Sequence, residues 1–359
     1  GEWSWQFYKD TTAPTITYTS PTAGGATTWY TADPGAVIDV DFGVAGGSDL
    51  DYAQYRVGTG AWQTIFSTNR SADYTDTWAV NWSLLAEGEN QISIRVADVA
   101  GNLVTHTYSA GSSGFLFRKD SLPPYINTVT VNSNKSNYFY NPGLTADGGT
   151  IYFNSVNGQG GGQVLTVGVT MTEANPLRLD GGTAFGSTPS DTNGADGWSV
   201  SYAVAAGAGS ANGVMFTVTD QGGHTDTATI NFIQDNAAPA ATVVTPTGTL
   251  TSIGIIQGTA ADNSGGAGLS KVEVQVTDGT KYLQTDGSWS TSATWLTPSG
   301  LENWSYNTSG VTWAEVSYTI RVRTTDRVGN IGTNESTFTY EAPAGPMWYI
   351  YLPIVLRNY

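Results

Sequence analysis

Carboxylates are nearly the only side chains in this sequence that could do chemistry. Aspartate and glutamate number 30 against 14 lysines and arginines, a net charge of −16, with two histidines and no cysteine. Disulfides and cysteine-based zinc sites are therefore excluded. His106 sits in Thr-His-Thr and His224 follows Gly-Gly, with no Gly-x-Ser-x-Gly or His-Glu-x-x-His nearby, so both read as structural or solvated. Two carboxylates can hydrolyse a glycoside, but the acids here fall in turns and junctions, where turn chemistry accounts for them and no enzyme is expected. Acids gathered in turns can cap those turns or hold a divalent cation. The same acidic field repels phosphate backbones, so nucleic acid is not an expected partner.

These acids recur. An Asp, three residues and a Pro follow an apolar alternation at Phe7-Tyr8-Lys9-Asp10 to Pro14, Phe117-Arg118-Lys119-Asp120 to Pro124, and Phe232-Ile233-Gln234-Asp235 to Pro239. The spacings of 110 and 115 residues match one β-sandwich each. Phe338-Thr339-Tyr340-Glu341-Ala342-Pro343 is a weaker fourth copy. Before each later junction, alternating apolar residues run into Asp-x-x-Gly: Ile92, Ile94 and Val96 into Asp98, Val214, Phe216 and Val218 into Asp220, and Ile320 and Val322 into Asp326. Period-two alternation meeting such a turn reads as the hairpin between the last two strands of a sandwich.

The elements that position these acids must be strands. Charged residues are 12% of the chain, where globular proteins carry about 25%, so long exposed helices are excluded. Hydrophobic content of 39% and aromatic content of 12% exclude a disordered chain. The longest apolar run, Met347 to Leu356, is about half of a membrane helix and contains Pro353, so no membrane span is expected. The start at Gly1, with no basic and apolar leader after it, fits a mature secreted protein. Six Asn-x-Ser/Thr sites, at Asn69, Asn81, Asn134, Asn303, Asn307 and Asn334, are expected by chance in a chain this rich in Ser and Thr.

Asp10-Thr-Thr-Ala-Pro14, the run from Asn81 to Asn90 with the Ile-Ser-Ile-Arg-Val-Ala-Asp-Val-Ala-Gly-Asn after Gln91, and Gly258-Thr-Ala-Ala-Asp262 through Gly268 to Val274 resemble bacterial immunoglobulin-like modules of secreted adhesins, surface-layer proteins and extracellular enzymes. The middle unit departs most, at Gly158 to Gly162 and at Gly223-His224. The resemblance implies an all-β chain of three tandem immunoglobulin-like β-sandwiches, 11–118, 119–233 and 234–341, flanked by an N-terminal strand (1–10) and a C-terminal strand or tail (342–359). In that fold the N-terminal linker, the loop between the second and third strands, and the last hairpin share one end. Each module would then gather carboxylates there: Asp10 with Asp49 or Asp51 and Asp98; Asp120, Glu173 and Asp220; Asp235, Asp262 and Asp326. Calcium, which takes six to eight oxygens, is the expected cation.

Residues 1–10 have the pattern of a last strand without its sandwich, with Trp3, Trp5 and Phe7 on one face. Beyond the third module, Trp348, Ile350, Leu352, Ile354 and Leu356 would share a face of another strand. The ending Tyr-Leu-Pro-Ile-Val-Leu-Arg-Asn is also similar to a tail found in secreted proteins of some filamentous bacteria. Burying that C-terminal face contributes about 7 to 15 kcal/mol and fixing its backbone costs about 10 to 20, so the strand needs ladder bonds from another sheet. The leading expectation is a structural subunit of an extracellular filament or surface array, its copies joined head to tail by exchanged terminal strands. The alternatives are an adhesin stalk or sugar-binding segment of a larger protein, and a non-catalytic appendage of a secreted hydrolase. Exposed Trp and Tyr could bind surface glycans, although at this spacing most read as core and cross-strand pairs.

Overall fold

Period-two alternation lets a strand turn one row of side chains inward. In a computed structural model that describes residues 2–68 and 71–345, it builds three sandwiches in series. Strands run from Thr15 to Lys119 in the first module, Tyr125 to Gln234 in the second and Ala240 to Tyr340 in the third. Helical structure among the described residues is limited to the 3-10 turns Trp82–Leu84, Ser136–Tyr138 and Gly194–Asp196.

The third module shows the plan. Ala240–Thr245, Ile255–Ala261 and Asn303–Asn307 form one sheet. The other orders Gly248–Leu250, Ile331–Tyr340, Ser317–Asp326, Leu269–Thr277, Tyr282–Leu283 and Trp289–Ser290. The second module repeats this with Tyr125–Ser133, Gln163–Thr172 and Trp198–Val204 facing a sheet built on Gly148–Phe153, Thr225–Gln234, Ala211–Asp220 and Pro176–Asp180. The first sets Thr15–Ser20, Asp39–Gly43 and Asp73–Tyr74 against Ala26–Tyr30, Phe115–Lys119, Gly88–Asp98, Leu50–Val57 and Gln63–Ser67. In every module the last strand lies between a short early strand, which it pairs in parallel, and a long antiparallel strand: Gly88–Asp98, Ala211–Asp220 or Ser317–Asp326. This is the immunoglobulin-like arrangement, and the chain is a tandem array of such modules. Gly158 to Gly162 forms only a loop between two strands, so the middle module keeps the common order.

Each module has its own core: Phe42, Leu50, Ile94 and Phe117 around Trp78 in the first, Phe153, Tyr202, Phe216 and Phe232 in the second, Ile256, Val274, Trp304 and Tyr318 in the third. The hydroxyl of Tyr318, near the start of its strand, donates to the carbonyl of Ala314 at 3.2 Å and accepts from its N–H at 2.9 Å, the corner found in such sandwiches.

The inward row also carries the acids. In Ser317–Asp326 it runs Tyr318, Ile320, Val322, Thr324 and then Asp326, all buried. In Ala211–Asp220 it ends on Asp220, and in Gly88–Asp98 on Asp98. Strand register thus sets one carboxylate at the pole of each core.

The N-terminal segment pairs with no sheet among the described residues. No strand occurs over residues 2–14, and Trp3, Trp5 and Phe7 are 90%, 82% and 94% exposed. A strand needs a ladder, and each module already fills its last-strand position. The expected strand through Trp348, Ile350, Leu352, Ile354 and Leu356 lies outside the described residues.

Candidate metal centres

Two of the three expected acidic sets are assembled. The ligand atoms of Asp235, Asp262 and Asp326 all lie within 4.8 Å of one another, as do those of Asp120, Glu173 and Asp220. Each set joins the linker Asp, the loop after the second long strand and the turn after the penultimate strand.

In the third module the loops shape the carboxylates. Asp235 Oδ2 accepts from Ala267 N at 2.8 Å, Asp262 Oδ2 from Gly268 N at 2.6 Å, and Asp326 Oδ1 from Val328 N and Asn330 N, both at 2.9 Å. Asn330 Nδ2 donates to Asp326 Oδ2 at 2.7 Å. The amide end of Asn263 lies 3.1 Å from Asp235 Oδ1 and 2.9 Å from Asp262 Oδ1. Turned nitrogen-inward it donates to both acids; turned oxygen-inward it adds a neutral ligand to a cation. Burial pushes the Asp326 carboxyl above the usual aspartate range, against the bonds from Asn330 and Val328 and with a further push from Asp235.

The middle set has the same plan with other partners. Asp120 Oδ2 accepts from Gly222 N at 2.5 Å and Oδ1 from Asn175 Nδ2 at 3.2 Å, while Glu173 Oε1 accepts from Asn175 N at 2.8 Å. His224 takes the place held by Asn330, its N–H 2.8 Å from Asp220 Oδ1 and its Nδ1 3.0 Å from Oδ2. Burial raises both Asp120 and Glu173, and the charges of neighbouring acids, Asp220 among them, add to the rise. From the first module, Glu87 reaches Ser121 N at 2.7 Å and Ser121 Oγ at 2.6 Å, tying the linker to both sides.

The first set is not formed as expected. Ser48 occupies the third corner, its N and Oγ donating to Asp10 Oδ2 at 2.8 and 2.7 Å, and Thr12 N donates to Oδ1 at 3.0 Å. Gly47, at φ +111°, admits this approach, since a Cβ there would meet the Asp10 carboxylate at 2.5 Å. Asp49 meets the last turn through its carbonyl, 2.8 Å from Val99 N, and Asp51 lies at a bulge opposite Asp98 and Ala97. Asp98 Oδ1 accepts from Asn102 N at 2.8 Å. The N–H groups of Ser48 and Thr12 hold Asp10 below the usual range, the opposite sense from the clustered acids.

Turn capping and convergence coexist here. Capping accounts for the bonds from Val328, Asn330 and His224, but not for three like charges brought together at a buried pole. Oxygens facing each other across calcium stand about 4.6 to 5.2 Å apart, twice the usual bond length, so both clusters fit that ion in size and donor type. Sequence reasoning missed Ser48, Asn175, Asn263 and Glu87. The Asn four residues after Asp98 and Asp326 was the one visible signal.

Cations stack on four of the tryptophans: Arg56 and Arg95 lie 4.8 and 4.4 Å from Trp62, Arg118 5.5 Å from Trp29, Lys119 4.8 Å from Trp82 and Arg323 4.3 Å from Trp295.

No family model and no curated protein sequence matches the chain. Among solved structures, a tetra-tandem repeat from the extending region of a large adhesion protein is similar at 17% identity and TM-score 0.28, covering 93% of this chain and 76% of that one. A segment of a 1.5-MDa bacterial ice-binding adhesin gives 14% and 0.37 over 94% of this chain and all of the other. Titin domains A168–A170 give 12% and 0.35 over 92% and 100%. At these scores the fold assignment rests on strand order alone.

Proposed function

We propose that the chain is a structural spacer of an extracellular or cell-surface protein, its second and third modules each fixed to the preceding linker by calcium. The observation that carries this is that Asp120 and Asp235, both linker residues, each meet two acids from loops of the following module within 4.8 Å. A cation there binds linker and module together. With roughly 1 mM affinity and about 10 mM calcium, each site contributes about 1.4 kcal/mol, enough to stiffen a joint and too little to fold a domain. Calorimetric titration should give two ions per chain, and small-angle scattering should show a broader distribution of shapes in chelator. No bound calcium on elemental analysis, with unchanged melting in chelator, would refute the reading.

Assembly of copies through terminal strands is a second reading, favoured by the exposure of Trp3, Trp5 and Phe7. Outer strands such as Gln63–Ser67 and Asn303–Asn307 provide sheet edges for it. Sedimentation at rising concentration tests it: a monomer throughout rejects the filament, whereas a polymer abolished by deleting residues 347–359 supports it.

A further inference from the structure

Residues 2–9 and the N-terminal pole of the first module are each half of a junction whose counterparts are complete elsewhere in the chain. Counting back from the junction acids, Trp3, Trp5 and Phe7 correspond to Ala228, Ile230 and Phe232, which are 2%, 0% and 0% exposed in the second module's last strand. In the first module, Phe115 and Phe117 hold the last two of these positions at 0% and 1%. Glu2, Ser4 and Gln6 correspond to the outward Thr227, Thr229 and Asn231. The segment therefore has the inward row of a last strand, with nothing over it among the described residues.

The pole gives an independent observation. The turn Asp326 to Asn330 is seated on the second module: Asn330 Oδ1 accepts from Asn154 Nδ2 at 2.7 Å, and Val328 is fully buried. A Cβ on Gly329 would meet Asn137 O at 2.9 Å. The equivalent turn, Asp98 to Asn102, leaves Ala100, the counterpart of Val328, exposed beside a hollow of about 570 Å³ bordered by Tyr8, Asp10, Ser48 and Val99.

We propose that residues 2–9 and the turn Asp98 to Asn102 form one docking surface for an immunoglobulin-like sandwich that lacks its own last strand. Residues 2–9 complete its sheet, and its pole seats on the turn as the second module seats on the third. A second copy of this chain offers no such vacancy, because each of its modules already pairs its last strand on both sides; edge addition between copies is the competing outcome that the test separates. The inference holds whether or not calcium binds.

The test joins residues 120–225, the second module without its last strand, directly to Gly1 of the full chain, so that 2–10 can replace 227–235. Hydrogen exchange of 2–10 should be free in the original chain and slowed at least about tenfold in the fusion, with Trp5→Asp plus Phe7→Asp removing the protection. A fusion that folds but leaves 2–10 unprotected overturns the proposal. So does protection in the original chain that rises with concentration, which would assign the segment to contacts between copies. If the added body does not fold, a second variant decides: Phe115→Trp, Leu116→Gln and Arg118→Tyr make 115–119 identical to 5–9 within the full chain. Cooperative melting of the first module within a few degrees of the original supports the proposal; loss of that module's fold overturns it.

Discussion

The first and third modules arrange their N-terminal poles from the same three elements and reach opposite electrostatics. In the third, Asp235, Asp262 and Asp326 converge, Asp326 is pushed upward, and Asn330 is 4% exposed beneath the preceding module. In the first, Ser48 stands in for the middle acid, hydrogen bonds hold Asp10 downward, and no module lies over the turn among the described residues. One hydroxyl in place of one carboxylate thus separates a pole of three converging acids from one whose junction acid is held by hydrogen-bond donors.

The largest expected contrast is at the shared turn asparagine. Asn330 Nδ2 also donates to the Asp235 carbonyl at 2.9 Å, so Asn330→Ala strands Asp326, Asn154 and that carbonyl in a buried joint and should cost about 2 to 4 kcal/mol, while Asn102→Ala should cost about 1 kcal/mol or less. Equal losses in denaturant titrations would erase the difference between the poles. Next is calcium: chelation should remove about 1.4 kcal/mol from each of the second and third modules and nothing from the first. Asp326→Ala should lower the stoichiometry from two ions to one. Ser48→Asp should raise it to three, and if it does not, the missing carboxylate is not what separates the poles.

The smallest effect is in pH, and its sign differs between poles. With chelator present, the raised pKa values of Asp120, Glu173 and Asp326 mean that the folded state holds protons the unfolded chain has lost. Stability from these groups therefore falls as pH rises above the ordinary values of 3.8 and 4.5 through the higher folded ones. Asp10 does the reverse: its contribution is present above 3.8 and is lost as pH falls through its lower folded value. Melting curves between about pH 3 and 7 in chelator, resolved by module through hydrogen exchange, should show opposite slopes.

The modules and the two complete acidic sets were legible because strand alternation and the Asp junctions are local patterns. Glu173 and Asp262 followed from strand order. Asp49 and Asp51 do not complete a cluster of three acids with Asp10 and Asp98; the six-residue loop 44–49 turns Ser48 toward Asp10 instead. One residue of shift in such a loop changes which side chain faces the pole. The amides of Asn175 and Asn263 were illegible because neutral oxygen donors leave no charge pattern. Residues 2–10 were legible as an alternating segment and no further, since alternation specifies a face while the ladder depends on what lies beside it.

The parallel pairing of each module's short early strand with its last one has a mechanical meaning. These two strands connect to opposite ends of the module, so tension along the chain loads the ladder between them in shear, where its bonds must yield together instead of one after another. The middle module has six residue pairs in this clasp, Gly148 to Phe153 against Thr229 to Gln234, and the outer modules have three each. Under a rising pull the outer modules should therefore give way before the middle one, as separate steps in a single-molecule extension.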